Sequence, residues 1–223
     1  MRKALILGTG AAQVDAIRHL RDAGWWVIGC SYLREGPGLP LVHQFRQINI
    51  TDVPALEDLG RAEGIELVYS VGSDLAMPSV ARVAAALGLR SFISPAIADL
   101  TQNKVRLRDY LQHRDISPVS YRQLQRHADA AGWNRFPAIV KPADSQGQRG
   151  VFRADSLPDL LAGLDLALTA SRSATAIVEE LLEGPELSAN VFVVGGEIVV
   201  NELSDRLVVA DFPGGIPRGH VLP

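Results

Sequence analysis

Through residue 95, short apolar runs alternate with longer stretches whose apolar positions recur at helical spacing. Residues 4–7 are apolar and end at Gly8-Thr9-Gly10. Residues 11–23 are amphipathic, and Gly24 stops that helix. Residues 25–30 read as a second buried strand. Asp52 stands before Val53-Pro54, where it caps a helix with proline in its first turn, running to about Gly64. Residues 67–71 predict the next strand, Ser73 or Asp74 caps a helix ending near Gly88, and Phe92-Ile93 predicts a short closing strand. Strand–helix–strand alternation implies right-handed parallel crossovers, so this part is expected to be a small open parallel α/β sheet.

The pattern then changes. Residues 101–112 are polar and helical in spacing, and carry Lys104, Arg106 and Arg108. From Val119 onward the chain predicts a strand, a helical stretch near residues 127–133, a strand over 137–141 and a glycine-bearing loop. A helix over 156–168 follows, capped by Ser156 with Pro158 in its first turn. Residues 176–180, 187–194 and 197–203 predict strands, the last two joined by the tight Gly195-Gly196 turn. This half is α+β with antiparallel pairing, and two domains are expected to meet near residues 95–115.

Composition narrows the function without naming it. The 223 residues are 47% hydrophobic and 21% charged with net charge −3, so the chain is an ordinary globular one. It carries no dense Lys/Arg stripe, which argues against a nucleic-acid partner. The single cysteine, Cys30, allows no internal disulfide and fits a reducing compartment. The opening MRKALILGTG is too briefly apolar for a signal peptide, and no run approaches the ~18 apolar residues of a membrane span. A cytoplasmic protein without a membrane partner is expected.

Two segments carry candidate chemistry. FPAIVKPADSQGQRGV (136–151) is an apolar strand ending on Lys141, fixed by Pro142, then a loop with Ser145, Gln146, Gly147, Gln148, Arg149 and Gly150. IVEELLEGPELS (177–188) delivers Glu179, Glu180, Glu183 and Glu186 around a Gly-Pro corner. A strand-end lysine neutralises phosphate, glycine-loop N–H groups donate to it, and carboxylates accept from an adenine amino group and ribose hydroxyls. The glutamates alone read as solvated charge on a turn, a Lys-Pro strand feeding such a loop is seldom accidental, and the conjunction of the two segments is the stronger signal. The loop has no G-K-[ST], so it is not a Walker A loop and reads as a lid. Gly8-Thr9-Gly10 lacks the third glycine of a dinucleotide fingerprint, because Gln13 stands there, and no ribose-gripping acid ends the second strand. A tight βα turn is the better reading, which makes a nicotinamide oxidoreductase the weakest hypothesis. The five histidines are scattered without metal-ligand spacing.

On these motifs the chain resembles the ATP-grasp superfamily, particularly the branch of carbamoyl-phosphate synthetase, D-alanine–D-alanine ligase and amino-acid ligases. The resemblance implies a Rossmann-like preATP-grasp domain over 1–95, a helical linker over 96–118, a small lid domain over 119–182, and the incomplete start of the large domain over 183–223. It implies ATP and Mg²⁺ as cofactors. Lys104, in QNK, would contact the α-phosphate, and Lys141, in IVKP, the α- and β-phosphates. Ser145, Gln146, Gly147 and Gly150 would close over the β- and γ-phosphates. Glu179 would face the adenine amino group, Leu181 and Leu182 would present backbone to the adenine edge, and Glu186 would accept from the ribose. Arg206, in ELSDRL, resembles a basic position beside the triphosphate. His220 and Pro223 resemble a segment preceding the last catalytic subdomain. Gly8, Gly10 and Asp74 are substrate-side candidates.

The implied activity is ATP-dependent carboxylate–amine ligation, with a carboxylate or bicarbonate activated as an acyl phosphate for attack by an amine or other nucleophile. The implied partners are these small molecules and a second copy in a homodimer. The family's Mg²⁺ ligands, an acid and a Glu-x-Asn, are expected beyond Pro223, which implies a fragment of a longer enzyme and assigns no catalytic or metal residue here. The alternative is a catalytically inactive nucleotide-binding module lacking the metal site.

Overall fold

The computed structural model describes residues 1–209 and 215–222. The chain divides into two compact units, Met1–Gln102 and Asn103–Pro223.

The first unit is a parallel sheet with strand order β3-β2-β1-β4. Its strands are β1 (Lys3–Leu7), β2 (Trp26–Ser31), β3 (Gln44–Gln47) and β4 (Leu67–Tyr69). Alternation along β1 divides the core. Ala4 and Ile6 pack with Ile17 and Leu20 of α1 (Val14–Asp22). Leu5 and Leu7 pack with Leu56 of α2 (Val53–Glu63) and with Val80 and Val83 of α3 (Met77–Ala86). Covering both faces is why the run 4–7 is uniformly apolar. Asp52 caps α2, accepting from the Ala55 N–H at 3.2 Å, and Gly64 closes it in the left-handed region at φ 63°.

Three local expectations change here. The polar segment QFRQ forms β3, an edge strand with no apolar run to mark it. Phe92-Ile93 forms no strand. The Ser91 hydroxyl donates to the Ile93 carbonyl at 2.9 Å, bending the chain, and Phe92 sets its ring against Tyr69 with centroids 5.6 Å apart. The expected helix over 101–112 forms as α5 (Lys104–Gln112), starting three residues later, and a separate helix, α4 (Pro95–Thr101), precedes it. Asn103 adopts extended backbone between them and its Oδ1 caps the N–H groups of Val105 and Arg106 at 3.0 and 3.1 Å.

The second unit holds two antiparallel sheets. The first has strand order β5-β8-β6-β7, from β5 (Tyr121–Leu124), β6 (Ala138–Pro142), β7 (Phe152–Ala154) and β8 (Ala176–Glu180). One face, with Leu124, Val140 and Val178, packs on Leu160 and Leu164 of α6 (Leu157–Ala170). The opposite face places Ile177 against Val105 of α5, with Ala143 and Tyr121. The second sheet has order β11-β10-β9, from β9 (Leu187–Val194), β10 (Glu197–Val209) and β11 (Ile216–Val221). β10 continues past residue 203, and β7 and β11 are short strands that periodicity did not mark. Val191, Phe192, Val193, Val194, Ile198, Val199 and Val200 are all exposed on β9 and β10. Pro223 lies outside the described residues. Among those described, no helix is long and apolar enough to cross a membrane.

Candidate functional site

The first sheet of the second unit sorts its side chains by strand alternation. Lys141 lies two residues beyond Ile139, and Ile139 is paired with Glu179, so Lys141 and Glu179 share the face that carries α5. On α5, Lys104 and Arg108 are four apart and therefore on one side of the helix. The Lys104 N–H donates to the Ala143 carbonyl at 2.8 Å, which fastens the start of α5 to the end of β6. Four charged side chains are thereby gathered around one strand end.

Glu179 is their centre, with its side chain only 8% exposed. Arg108 grips it at two points, Nε to Oε1 at 2.9 Å and Nη2 to Oε2 at 3.0 Å, while Lys141 Nζ donates to Oε2 at 2.8 Å. Burial opposes the charged carboxylate, yet the Arg108 hydrogen bonds and the Lys141 charge outweigh it and hold the carboxyl below the usual range. The Glu179 hydrogen bonds push the Arg108 guanidinium up in turn, against its burial. Arg108 Nη1 also donates to Ser117 Oγ at 3.1 Å.

Lys104 Nζ donates to the Ser145 carbonyl at 2.6 Å. Burial lowers its pKa and the neighbouring Lys141 charge adds to this, opposed by Asp144 and Glu179. The loop is left-handed at Gly147, Gln148 and Gly150, with φ 71°, 62° and 69°. At Gly150 a Cβ would stand 2.7 Å from Ala170 Cβ and 3.0 Å from Pro142 Cγ, so only glycine fits the close approach of loop, strand and helix. Ser145 Oγ donates to the Ala170 carbonyl at 2.5 Å. Asp144 accepts from Ser171 Oγ at 2.8 Å and the Arg172 N–H at 3.0 Å. The root of the loop is anchored, and Gly147 stands open.

The hinge acids separate. Leu181 donates its N–H to the Pro137 carbonyl at 2.9 Å, and Leu182 is exposed. Glu180 accepts from the Ser120 N–H at 2.8 Å and pairs with Arg135. Glu186 pairs with Arg206 through Oε2 and Nη1, and its carbonyl accepts the Arg206 N–H at 2.8 Å. Arg206 Nη2 further donates to the Gly215 carbonyl at 2.7 Å. His220 Nδ1 lies 3.2 Å from Ser204 Oγ. The expected residues thus form two sets, one around Lys104, Lys141 and Glu179, the other joining Glu186 and Arg206.

In the first unit, the Gly8 to Gly10 turn is filled by a side chain. Gln13 Oε1 accepts from the Gly10 N–H at 3.0 Å, and Gln13 Nε2 donates to the Val71 carbonyl at 2.5 Å. Gly8 is left-handed at φ 104°, and a Cβ there would stand 2.9 Å from Gln13 Oε1. The residue replacing the third fingerprint glycine therefore occupies the turn itself. Asp74 is exposed, and its carbonyl accepts from Gln102 Nε2 at 2.7 Å.

Sequence reasoning missed Arg108 as a site residue. Its spacing of four from Lys104 was the available signal; only tertiary pairing shows that it points at Glu179. Among the described residues, no three His, Cys, Asp or Glu cluster as a metal site.

A parallel α/β unit followed by an antiparallel sheet, with strand-end and helix lysines beside a glycine loop, is an architecture that this chain shares with solved ATP-grasp ligases. The formate-dependent phosphoribosylglycinamide formyltransferase of Cupriavidus metallidurans is 26% identical over 175 residues, covering 76% of this chain and 44% of that protein. The ATP-grasp enzyme fsqD of Aspergillus fumigatus is 29% identical over 143 residues, covering 64% of this chain and 24% of its own length. The crystal structure of an L-amino acid ligase from Bacillus licheniformis superposes with TM-score 0.78 at 18% identity, over 100% of this chain and 55% of that one. The ADP complex of purK, N5-carboxyaminoimidazole ribonucleotide synthetase, gives TM-score 0.77 at 16% identity over 94% of this chain and 55% of that one. The chain thus spans about half the length of these proteins, or less. No family model matches it.

Proposed function

We propose that this chain is the nucleotide-binding half of an ATP-dependent ligase that activates a carboxylate or bicarbonate as an acyl phosphate. The observation that carries the reading is the convergence of Lys104 and Lys141 beside the loop 145–150, on one face of one sheet. Two ammonium groups at a helix start and a strand end suit a polyphosphate, whose charge they neutralise by exchanging their present acceptors for phosphate oxygens. Loop N–H groups complete the phosphate contacts, and Glu186 serves the ribose from the hinge. The exposed Leu182 would present its backbone to the adenine edge.

In the overall reaction a carboxylate oxygen attacks the γ-phosphorus, the bond to the β-bridging oxygen breaks, and ADP leaves with that electron pair. An amine then adds to the acyl phosphate carbonyl, loses a proton, and expels phosphate. Mg²⁺ supplies charge neutralisation at the transferring phosphoryl group in such chemistry, and the described residues are assigned no part in holding it. The chain's own contribution is positioning: Lys104 and Lys141 orient the phosphates, and the loop excludes water. Support for a carboxylate acceptor comes from the formate dependence that the Cupriavidus relative's name states.

The test is calorimetric titration with ADP and a non-hydrolysable ATP analogue, with and without Mg²⁺. Saturable binding of both supports the reading. Absence of binding in the full-length polypeptide rejects it.

A further inference from the structure

We infer that Arg108 is a positioning residue: it is the fixed counter-ion that holds Glu179 in place and charged while Lys141 leaves Glu179 for a phosphate oxygen. The inference rests on Lys141 being a phosphate ligand, as proposed above.

Lys141 faces two acceptors of the same kind. In the structure its ammonium donates to Glu179 Oε2 at 2.8 Å, so a phosphate must compete with a buried carboxylate for it. A carboxylate with Lys141 as its only cation would be stranded by the exchange, and a stranded buried charge costs several kcal/mol. That cost would be charged against phosphate binding. Arg108 removes it. Its planar fork occupies both Glu179 oxygens, 2.9 and 3.0 Å away, and Ser117 fixes the remaining Nη1. Oε2 is shared by Arg108 and Lys141, so Lys141 is the partner that can leave with both oxygens still satisfied. Lys104 is parked in the same way on the Ser145 carbonyl at 2.6 Å, an uncharged acceptor that needs no replacement cation. Arg108 reaches the site through Glu179 alone, so its effect on a phosphate ligand runs through that carboxylate.

The geometry yields a reversal that a purely structural ion pair does not. In Arg108→Gln, Glu179 clings to Lys141 and phosphate binding weakens. In the double variant Arg108→Gln/Glu179→Gln, the competing carboxylate is gone and Lys141 is released. Inorganic tripolyphosphate, which has no adenine or ribose, isolates this exchange by calorimetry in the full-length polypeptide. The expected result is an affinity loss of about tenfold in Arg108→Gln, recovery to within about threefold of wild type in the double variant, and partial recovery in Arg108→Lys. Wild-type affinity in Arg108→Gln overturns the inference, as does a double variant no better than the single. Acylation of Lys141 in ligand-free protein, followed by peptide mass spectrometry, provides the second arm. Slower labelling in Arg108→Gln and faster labelling in the double variant support the exchange, and unchanged rates refute it. If labelling shifts as expected and tripolyphosphate binds none of the variants nor wild type, the nucleotide reading fails and the pairing of Arg108, Glu179 and Lys141 stands. Thermal unfolding of each variant confirms that a folded chain is being titrated.

Discussion

Arg108 and Glu179, separated by 71 positions in the chain, meet in a two-point ion pair that also fixes Lys141. The pair ties helix α5 to strand β8, across the face of the sheet that carries the glycine loop.

Removing the Lys141 ammonium deletes a charge-assisted phosphate contact in a partly desolvated site. Lys141→Ala should weaken ADP binding by about 2–3 kcal/mol, roughly 30- to 150-fold. Calorimetry checks this, and an unchanged affinity removes Lys141 from the site.

Glu186→Gln should weaken ADP by more than it weakens tripolyphosphate, because its assigned partner is the ribose. Glu183→Gln is the comparison, since Glu183 is exposed and has no assigned contact. A loss in Glu186→Gln no larger than in Glu183→Gln sinks the assignment. Glu186→Gln also releases Arg206 from its ion pair while Glu183→Gln does not, and the tripolyphosphate titration reads that part of the effect separately from the ribose.

Glu179 sets a pH dependence of stability. Its folded carboxyl lies below the usual value of about 4.3. The stabilisation is therefore fully present above that unfolded value and is lost as pH falls through the lower folded one. Denaturant unfolding between pH 7 and pH 3 should show a shallower acid loss in Glu179→Gln. At pH 7 that variant should be less stable by about 3 kcal/mol, because Arg108 and Lys141 lose their shared partner.

Gly150→Ala should destabilise the second unit by about 1–3 kcal/mol, since the methyl group meets Ala170 and Pro142 and the backbone is left-handed. Gly147→Ala suffers only the backbone strain, because nothing lies near its Cβ. Its cost should be about 1 kcal/mol. Equal midpoints for the two variants in urea would contradict this packing.

Cys30 should be inert in the native protein. Burial raises its thiol pKa to about 11, the Ile48 carbonyl accepts its proton at 3.2 Å, and no thiolate is available at neutral pH. Labelling by iodoacetamide should follow the unfolding transition of the first unit, and fast labelling of folded protein would refute its burial.

The sequence by itself determined the strands with continuous apolar runs, such as residues 4–7 and 25–30, because two-sided burial demands unbroken hydrophobicity there. It also determined the caps at Asp52 and Ser156 and the glycine loop after Lys141, where backbone chemistry restricts the residue type locally. It did not reveal β3 or β11, whose short polar segments become strands only because a neighbouring strand offers a free edge. Nor did it reveal that α5 begins only at Lys104, where the Asn103 side chain caps it after the separate helix α4. Only the tertiary structure decided which charges face one another. Strand pairing set Glu179 diagonal to Lys141, α5 brought Arg108 to them from 71 residues away, and β10 carried Arg206 to Glu186. Such pairings depend on register and packing between distant segments, and residue type at a single position carries no record of them.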